Sequence, residues 1–162
     1  MKTLYLMVGC PGSGKSFYAK YYLQDENTHI VSRDEIRFSL LEEKDNYFAK
    51  EDEVFKIFVN KIKEELNNGF NVIADATHLN KRSRVKLLSH LHLDTDEVEV
   101  IPIVMRTPLD ICIKRNDTRK GTRAYVPPAT IADMYDNCTK PDFEEYGGIF
   151  TCIRFVPYGG IK

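Results

Sequence analysis

The stretch from Gly9 to Ser16 has the sequence GCPGSGKS, and it decides the fold. It matches the Walker A pattern of the P-loop, G-x-x-x-x-G-K-[ST], at each fixed position. The apolar run TLYLMV, from Thr3 to Val8, precedes the loop, and FYAKYYL follows it with apolar residues at helical spacing. A strand, a glycine-rich loop and a helix in this order predict a nucleotide-binding α/β protein.

The residue types of this loop suit a nucleoside triphosphate. Gly9, Gly12 and Gly14 are expected to allow positive φ angles and a close approach of the backbone to an anion. Backbone N–H groups would then bind phosphate oxygens. Lys15 is expected to bind the β- and γ-phosphates, and the hydroxyl of Ser16 to bind Mg²⁺. The predicted nucleotide contacts are Gly9, Pro11, Gly12, Ser13, Gly14, Lys15 and Ser16.

Composition indicates a single globular domain over residues 1–162, long enough to bury a full core. The chain is 43% hydrophobic and 29% charged, which is typical of a soluble protein. A net charge of −1 indicates no general nucleic-acid-binding surface, so a polyanion would need a local basic patch. No apolar run is long enough to span a bilayer, so we expect no membrane partner and a cytoplasmic location.

Four scattered cysteines, with no C-x-x-C pair, favour a reducing compartment over a disulfide framework or a zinc site. Cys10 lies in the loop beside a helix N-terminus. That position predicts a lowered thiol pKa and sensitivity to alkylation.

Alternating strand and helix signals in the order βαβααβαβααβ predict a three-layer P-loop NTPase fold. Such a fold has a mostly parallel sheet of about five strands, with helices on both faces. The predicted strands are 1–8, 29–32, 70–74, 97–105 and 151–157, and the clearest predicted helices are 15–24, 51–67, 80–91, 108–119 and 127–138.

Asp34 follows the second predicted strand, at the edge of the sheet where α/β proteins bind their ligands. A carboxylate there could accept a proton from an attacking hydroxyl. If the stretch is helical, Arg37 shares its face and could bind an acceptor phosphate or transition-state charge. The alternative is a surface ion pair within RDEIR, and position alone favours neither.

Asp75 follows the third predicted strand, which is the Walker B arrangement for holding Mg²⁺ directly or through water. The alternative is a carboxylate that caps the next helix. We predict that Asp75 lies near the metal or the acceptor, together with its neighbour Thr77.

A basic segment follows the fourth predicted strand. Between Met105 and Arg123 the local charge is +4, from Arg106, Lys114, Arg115, Arg119, Lys120 and Arg123 against Asp110 and Asp117. A charged run is usually a solvated face. Beside a P-loop, it suits a lid that closes over the triphosphate and supplies arginines to the transition state.

Together, GCPGSGKS, SRDEIR, DATHLNKRSR and KRNDTRKGTR followed by VPPATIADMY resemble the kinase domain of bacteriophage-type 5′-polynucleotide kinases, over residues 1–147. The resemblance implies an ATP-dependent kinase that phosphorylates the 5′-hydroxyl of DNA or RNA. It implies Asp34 as general base, Arg37 on the acceptor's 3′-phosphate, and an arginine near Arg119 on the transferred phosphate. Lys15 and Ser16 would bind ATP and Mg²⁺, and Arg115 would join the ATP site.

The chain also departs from that family. It has no D-x-D-x-T signature, so we expect no 3′-phosphatase activity. The lid has one extra residue between Arg115 and Gly121, which leaves the key cation open among Arg119, Lys120 and Arg123. The aspartate of DATHLN lies one place earlier than in the phage pattern and better matches the wider group of small P-loop kinases.

Two alternatives therefore stand beside a polynucleotide kinase. One is a small-molecule or nucleoside/nucleotide kinase on the same fold. The other is a non-catalytic nucleotide-binding module, against which the combination of Lys15, Ser16, Asp34 and the lid cations argues. Self-association and the choice between DNA and RNA stay open.

Overall fold

A computed structural model describes residues 1–160. Five strands form one parallel sheet in the order β2-β3-β1-β4-β5. The strands are β1 Lys2–Val8, β2 Thr28–Ser32, β3 Asn71–Asp75, β4 Val98–Arg106 and β5 Arg154–Pro157. The helices are α1 Lys15–Tyr18, α2 Arg33–Leu40, α3 Glu51–Asn67, α4 Lys81–Leu91, α5 Leu109–Asp117 and α6 Pro128–Asp136. Short 3₁₀ turns occupy Glu145–Gly148 and Tyr158–Gly160.

Helices cover both faces of the sheet, because successive residues of a strand point to opposite sides. On one side, Leu4 and Leu6 of β1 pack in a cluster with apolar residues of α3 and α4, including Phe58 and Leu88. On the other side, Met7 packs in a second cluster with Ala19, which follows α1, and with apolar residues of β4 such as Ile103. The predicted three-layer α/β fold with a parallel five-stranded sheet is confirmed.

The central position of β1 determines where a ligand can bind. The chain leaves β1 through the P-loop, with β3 on one side and β4 on the other. The strand order therefore reverses at β1, and α/β proteins bind their ligands at such a switch point, outside the carboxyl ends of the strands.

Several predicted boundaries are wrong. The helix after the P-loop is α-helical only to Tyr18 and continues as a π-helix over Ala19–Leu23, closed by the bond from Gln24 N to Ala19 O at 2.9 Å. The last strand begins at Arg154 rather than at residue 151. Before it, the backbone N–H of Thr151 donates to Val100 O and its hydroxyl to Glu99, so this segment is held at the sheet edge without a continuous ladder.

In the part of the chain that the structure describes, no helix combines the length and the apolarity needed to cross a bilayer.

Candidate active site

The P-loop borders a cavity of about 380 Å³. The residues that line it are Gly12, Gly14, Lys15, Ser16, Phe17, Arg115 and Arg119. All of these except Phe17 were predicted to contact the nucleotide. Arg115 and Arg119 are thus placed at the same cavity as the loop lysine, which concentrates positive charge where a triphosphate would bind.

Two of the loop glycines have the predicted backbone conformation and the third does not. Gly12 and Gly14 have φ angles of 81° and 89°. A Cβ at Gly12 would also lie 2.3 Å from the carbonyl oxygen of Cys112. Gly9 has no positive φ. A Cβ on Gly9 would lie 2.4 Å from Ser13 Oγ, so close packing explains this glycine. Gly9 and Ser13 line a second cavity, of about 340 Å³. Pro11 is half-buried.

Ser16 and Asp75 meet at the predicted metal position. The Ser16 hydroxyl donates to Asp75 Oδ2 at 2.7 Å. Asp75 is 8% exposed, and its Oδ1 is buried with no hydrogen-bond partner among the described residues. A hydroxyl and a buried carboxylate with a free oxygen are ligands that suit Mg²⁺. No group of three or more His, Cys, Asp and Glu residues in 1–160 could hold a metal alone. Mg²⁺ held by Ser16 and Asp75 would complete its coordination with other oxygen ligands, such as waters and phosphates.

The loop after β3 joins this pair to the P-loop. The carbonyl of Thr77, another predicted site residue, accepts from Gly9 N at 3.0 Å. His78 is buried with a positive φ of 46°, and burial lowers its pKa to about 4, so the ring is neutral at pH 7. The guanidinium of Arg84 donates to the carbonyl of His78 and to both oxygens of Glu145, in an ion pair that is fully buried.

Asp34 follows the strand that pairs with β3. Ser32 at the end of β2 pairs in register with Asp75 at the end of β3. Ser32 caps α2 by accepting from Glu35 N at 3.2 Å, and Asp34 lies in the first turn of that helix with its carboxylate 55% exposed. A carboxylate so placed can reach an acceptor that approaches the neighbouring strand ends.

Arg37 shares the helix face of Asp34 and is almost entirely buried. It donates to Asp34 Oδ1, to the Tyr47 hydroxyl at 2.8 Å, and to both oxygens of Glu51. Asp34 and Arg37 therefore form an ion pair within RDEIR, as in the alternative interpretation, but only the carboxylate is exposed, and the buried guanidinium is also bound by Tyr47 and Glu51. Burial raises the pKa of Tyr47, which keeps its hydroxyl protonated and able to donate.

The basic segment after α5 is a series of turns, which we call the lid (residues 117–127). The two ends of the lid are joined by the buried side chain of Asn116, which donates to the carbonyl of Val126 and accepts from its backbone N–H. Arg119 reaches the P-loop cavity. Arg123 instead donates to the carbonyl of Leu41 at 2.8 Å, at the end of α2, and Lys120 is exposed.

The prediction for Cys10 is wrong. Its side chain is 4% exposed, and burial raises its pKa to about 12. The loss of hydration on burial therefore outweighs the favourable effect of the nearby helix start and Lys15.

Sequence reasoning missed Tyr47, Glu51 and Phe17 as site residues. Phe17 follows the P-loop serine directly, and its position could have indicated a role. Tyr47 and Glu51 lie 13 and 17 residues beyond Asp34, outside any motif, and only the fold brings them to it.

Comparison with known proteins identifies the family of this chain. A family model described as an AAA domain matches residues 4–141. The chain belongs to this family, and its fold is that of the P-loop kinases.

Three matches illustrate the range of relatives. An L-seryl-tRNA(Sec) kinase from Methanococcus maripaludis is 30% identical over 146 residues, which are 85% of this chain and 53% of that protein. A chain in the Pnkp1/Rnl/Hen1 RNA repair complex is 29% identical with a TM-score of 0.69, over 84% of this chain and 43% of that one. A candidate kinase from Chloroflexus aurantiacus is 16% identical with a TM-score of 0.73, over 96% and 88%, and this last match bears on the fold alone.

The chain therefore spans about half the length of the first two relatives.

Proposed function

We propose that this chain is an ATP-dependent kinase that transfers the γ-phosphoryl group to the 5′-hydroxyl of DNA or RNA. The observation that carries the proposal is the placement of Asp34 and Asp75 at paired strand ends, with Asp75 bonded to the P-loop serine. One carboxylate is thus available to the acceptor and the other to the metal, which is the division of roles that phosphoryl transfer requires.

In this mechanism Asp34 accepts the proton of the acceptor hydroxyl, whose oxygen forms a bond to the γ-phosphorus as the bond to the β-phosphate oxygen breaks. Lys15 and Arg119 stabilise the charge on the transferring group, and Arg115 binds the nucleotide. Ser16 and Asp75 would hold Mg²⁺, which supplies neutralisation of the triphosphate charge. Catalysis is mainly positioning and electrostatic stabilisation.

The nucleic-acid acceptor is supported by the four motifs that resemble polynucleotide kinases. The names of the two relatives near 30% identity, an RNA repair complex and a seryl-tRNA kinase, also favour an RNA-linked acceptor. We propose that a terminal 5′-hydroxyl approaches Asp34, with Thr77 and Arg37 at the acceptor end of the site. A single kinase domain over residues 1–162 and a cytoplasmic location remain part of the proposal.

A small-molecule or nucleoside kinase is the second candidate, and one observation favours it. The terminal nitrogens of Arg37 already donate to Asp34, Tyr47 and Glu51. The remaining donor of Arg37, Nε, is buried without a hydrogen-bond partner among the described residues, so a 3′-phosphate of an acceptor nucleotide would have to displace one of these partners or reach this buried nitrogen.

Acceptor competition tests the proposal. Purified protein receives γ-labelled ATP and Mg²⁺ with a 5′-hydroxyl oligonucleotide, in DNA and RNA forms, against nucleosides, nucleotides and sugars. We expect label on the oligonucleotide, with an apparent affinity that falls steeply as salt rises because several phosphates are contacted. Preferential labelling of a sugar or nucleoside, insensitive to salt, would support the second candidate and contradict the first.

A further inference from the structure

The carboxylate of Asp34 is held through one of its two oxygens. Oδ1 accepts a hydrogen bond from the Tyr47 hydroxyl at 2.6 Å and another from Arg37 Nη1. In residues 1–160, no hydrogen bond involves Oδ2. Oδ1 is thus fixed by two hydrogen bonds, while the carboxylate as a whole is more than half exposed.

The two donors are themselves fixed. Arg37 is 5% exposed, and its Nη2 donates to both carboxylate oxygens of Glu51. Its guanidinium carbon lies 4.1 Å from the centroid of the Tyr47 ring, and its Nη1 donates to the Tyr47 hydroxyl. That hydroxyl in turn donates a hydrogen bond to Asp34, so it accepts from Arg37 and donates to the carboxylate. Arg37 is therefore held by Glu51 at Nη2 and by the Tyr47 hydroxyl at Nη1.

These partners come from two segments that no nucleotide-binding motif includes. Tyr47 lies in the connection between α2 and α3, and Glu51 is the first residue of α3. The Tyr47 ring also makes edge contacts with Phe38 of α2 and with Phe48, at centroid distances of 6.2 and 4.7 Å. The connection is therefore packed against α2 beside Asp34.

We propose that Tyr47 and Glu51 are positioning residues for phosphoryl transfer, which anchor Asp34 by Oδ1 so that Oδ2 faces the acceptor hydroxyl. The inference rests on the proposed function, because it takes Asp34 as the general base. Neither residue touches the acceptor. Each acts through Asp34, directly in the case of Tyr47 and through Arg37 in the case of Glu51.

The physical reason is that an exposed carboxylate rotates freely about its side-chain bonds. A general base must lie within hydrogen-bond reach of the proton that it removes. A displacement of about 1 Å can lower a rate about 100-fold. Hydrogen bonds from two donors to Oδ1 restrict this rotation at an exposed position, where packing does not restrict it.

Tyr47→Phe is the matched test, because it removes the hydroxyl and keeps the ring against Arg37 and Phe48. We expect kcat for oligonucleotide phosphorylation to fall about 10-fold, since a hydrogen bond to a charged group is lost. The Kd for ATP should not change. Tyr21→Phe, on an exposed ring, is the control and should match the parent.

Glu51→Gln provides a second variant, which weakens the hold on Arg37 while keeping a side chain of the same shape. Like Tyr47→Phe, it should lower kcat and leave the Kd for ATP unchanged. Both variants are measured on protein whose circular dichroism spectrum matches that of the parent.

The outcomes separate this inference from the proposed function. If Asp34→Ala is inactive while Tyr47→Phe has the parent's kcat, the positioning role is refuted and the kinase proposal stands. A kcat above that of the parent would also refute it, because the bond from Tyr47 would then restrain a base that works better without it. If Asp34→Ala keeps full activity, the proposed function itself fails.

Discussion

The buried ion pair between Arg84 and Glu145 offers a quantitative test of how the site loop is supported. Arg84 Nε and Nη2 donate to the two oxygens of Glu145 at 2.8 and 2.9 Å, and the side chains are 0% and 1% exposed. Glu145 also accepts from the backbone N–H of Asp142 at 3.1 Å. Because the pair is desolvated, removing one charge leaves the other without compensation. We predict that Glu145→Gln lowers the free energy of unfolding by about 3–5 kcal/mol.

Urea and thermal unfolding measure this effect. For a chain of this size, the predicted loss corresponds to a fall in Tm of about 6–20 °C. Glu42→Gln is the control, because its pair with Lys44 is exposed at 68% and 82% and should contribute little. The double variant Arg84→Met/Glu145→Leu should recover much of the lost stability. A loss below about 1 kcal/mol for Glu145→Gln, similar to an exposed pair, would refute the reasoning.

Three further predictions concern the site. Asp75→Asn should raise the Mg²⁺ concentration for half-maximal transfer at least about 10-fold, because a carboxylate ligand is lost; an unchanged Mg²⁺ titration would count against the metal assignment. Arg119→Ala should lower kcat about 100-fold, whereas Lys120→Ala, at an exposed position, should change it little; the reverse order would move the key cation to Lys120. His78 has a folded pKa of about 4 against 6.5 unfolded, so the unfolded state binds more protons between these values. The free energy of unfolding should therefore fall as pH drops from 6.5 towards 4, and His78→Gln should flatten that dependence in urea titrations.

The architecture was largely predictable because its signals are local. The P-loop pattern specifies a strand, a turn and a helix, and the apolar spacing of Val54, Phe58 and Ile62 defines a helix whose bounds the structure confirms at Glu51–Asn67. The π-helix at Ala19–Leu23 was not predictable in this way. Its apolar spacing is close to that of an α-helix, so periodicity does not separate the two.

The motif residues of the site were predictable, but their partners were not. Asp34 and Asp75 could be identified because each follows an apolar strand, where parallel sheets present their ligands. The buried network of Arg37 with Tyr47 and Glu51 depends on how a connection folds back onto a helix, and no periodicity encodes that. Burial likewise reversed the expected pKa shift of Cys10, because desolvation is set by the packed structure.

The central claim is that Asp34 is the general base of a phosphoryl transfer. Its most direct test compares phosphate transfer from labelled ATP by Asp34→Ala and by Glu35→Ala, whose exposed carboxylate lies one residue further along α2. We expect Asp34→Ala to lose at least about 100-fold in kcat with its Kd for ATP unchanged, while Glu35→Ala matches the parent. Turnover by Asp34→Ala at the parent's rate would contradict it.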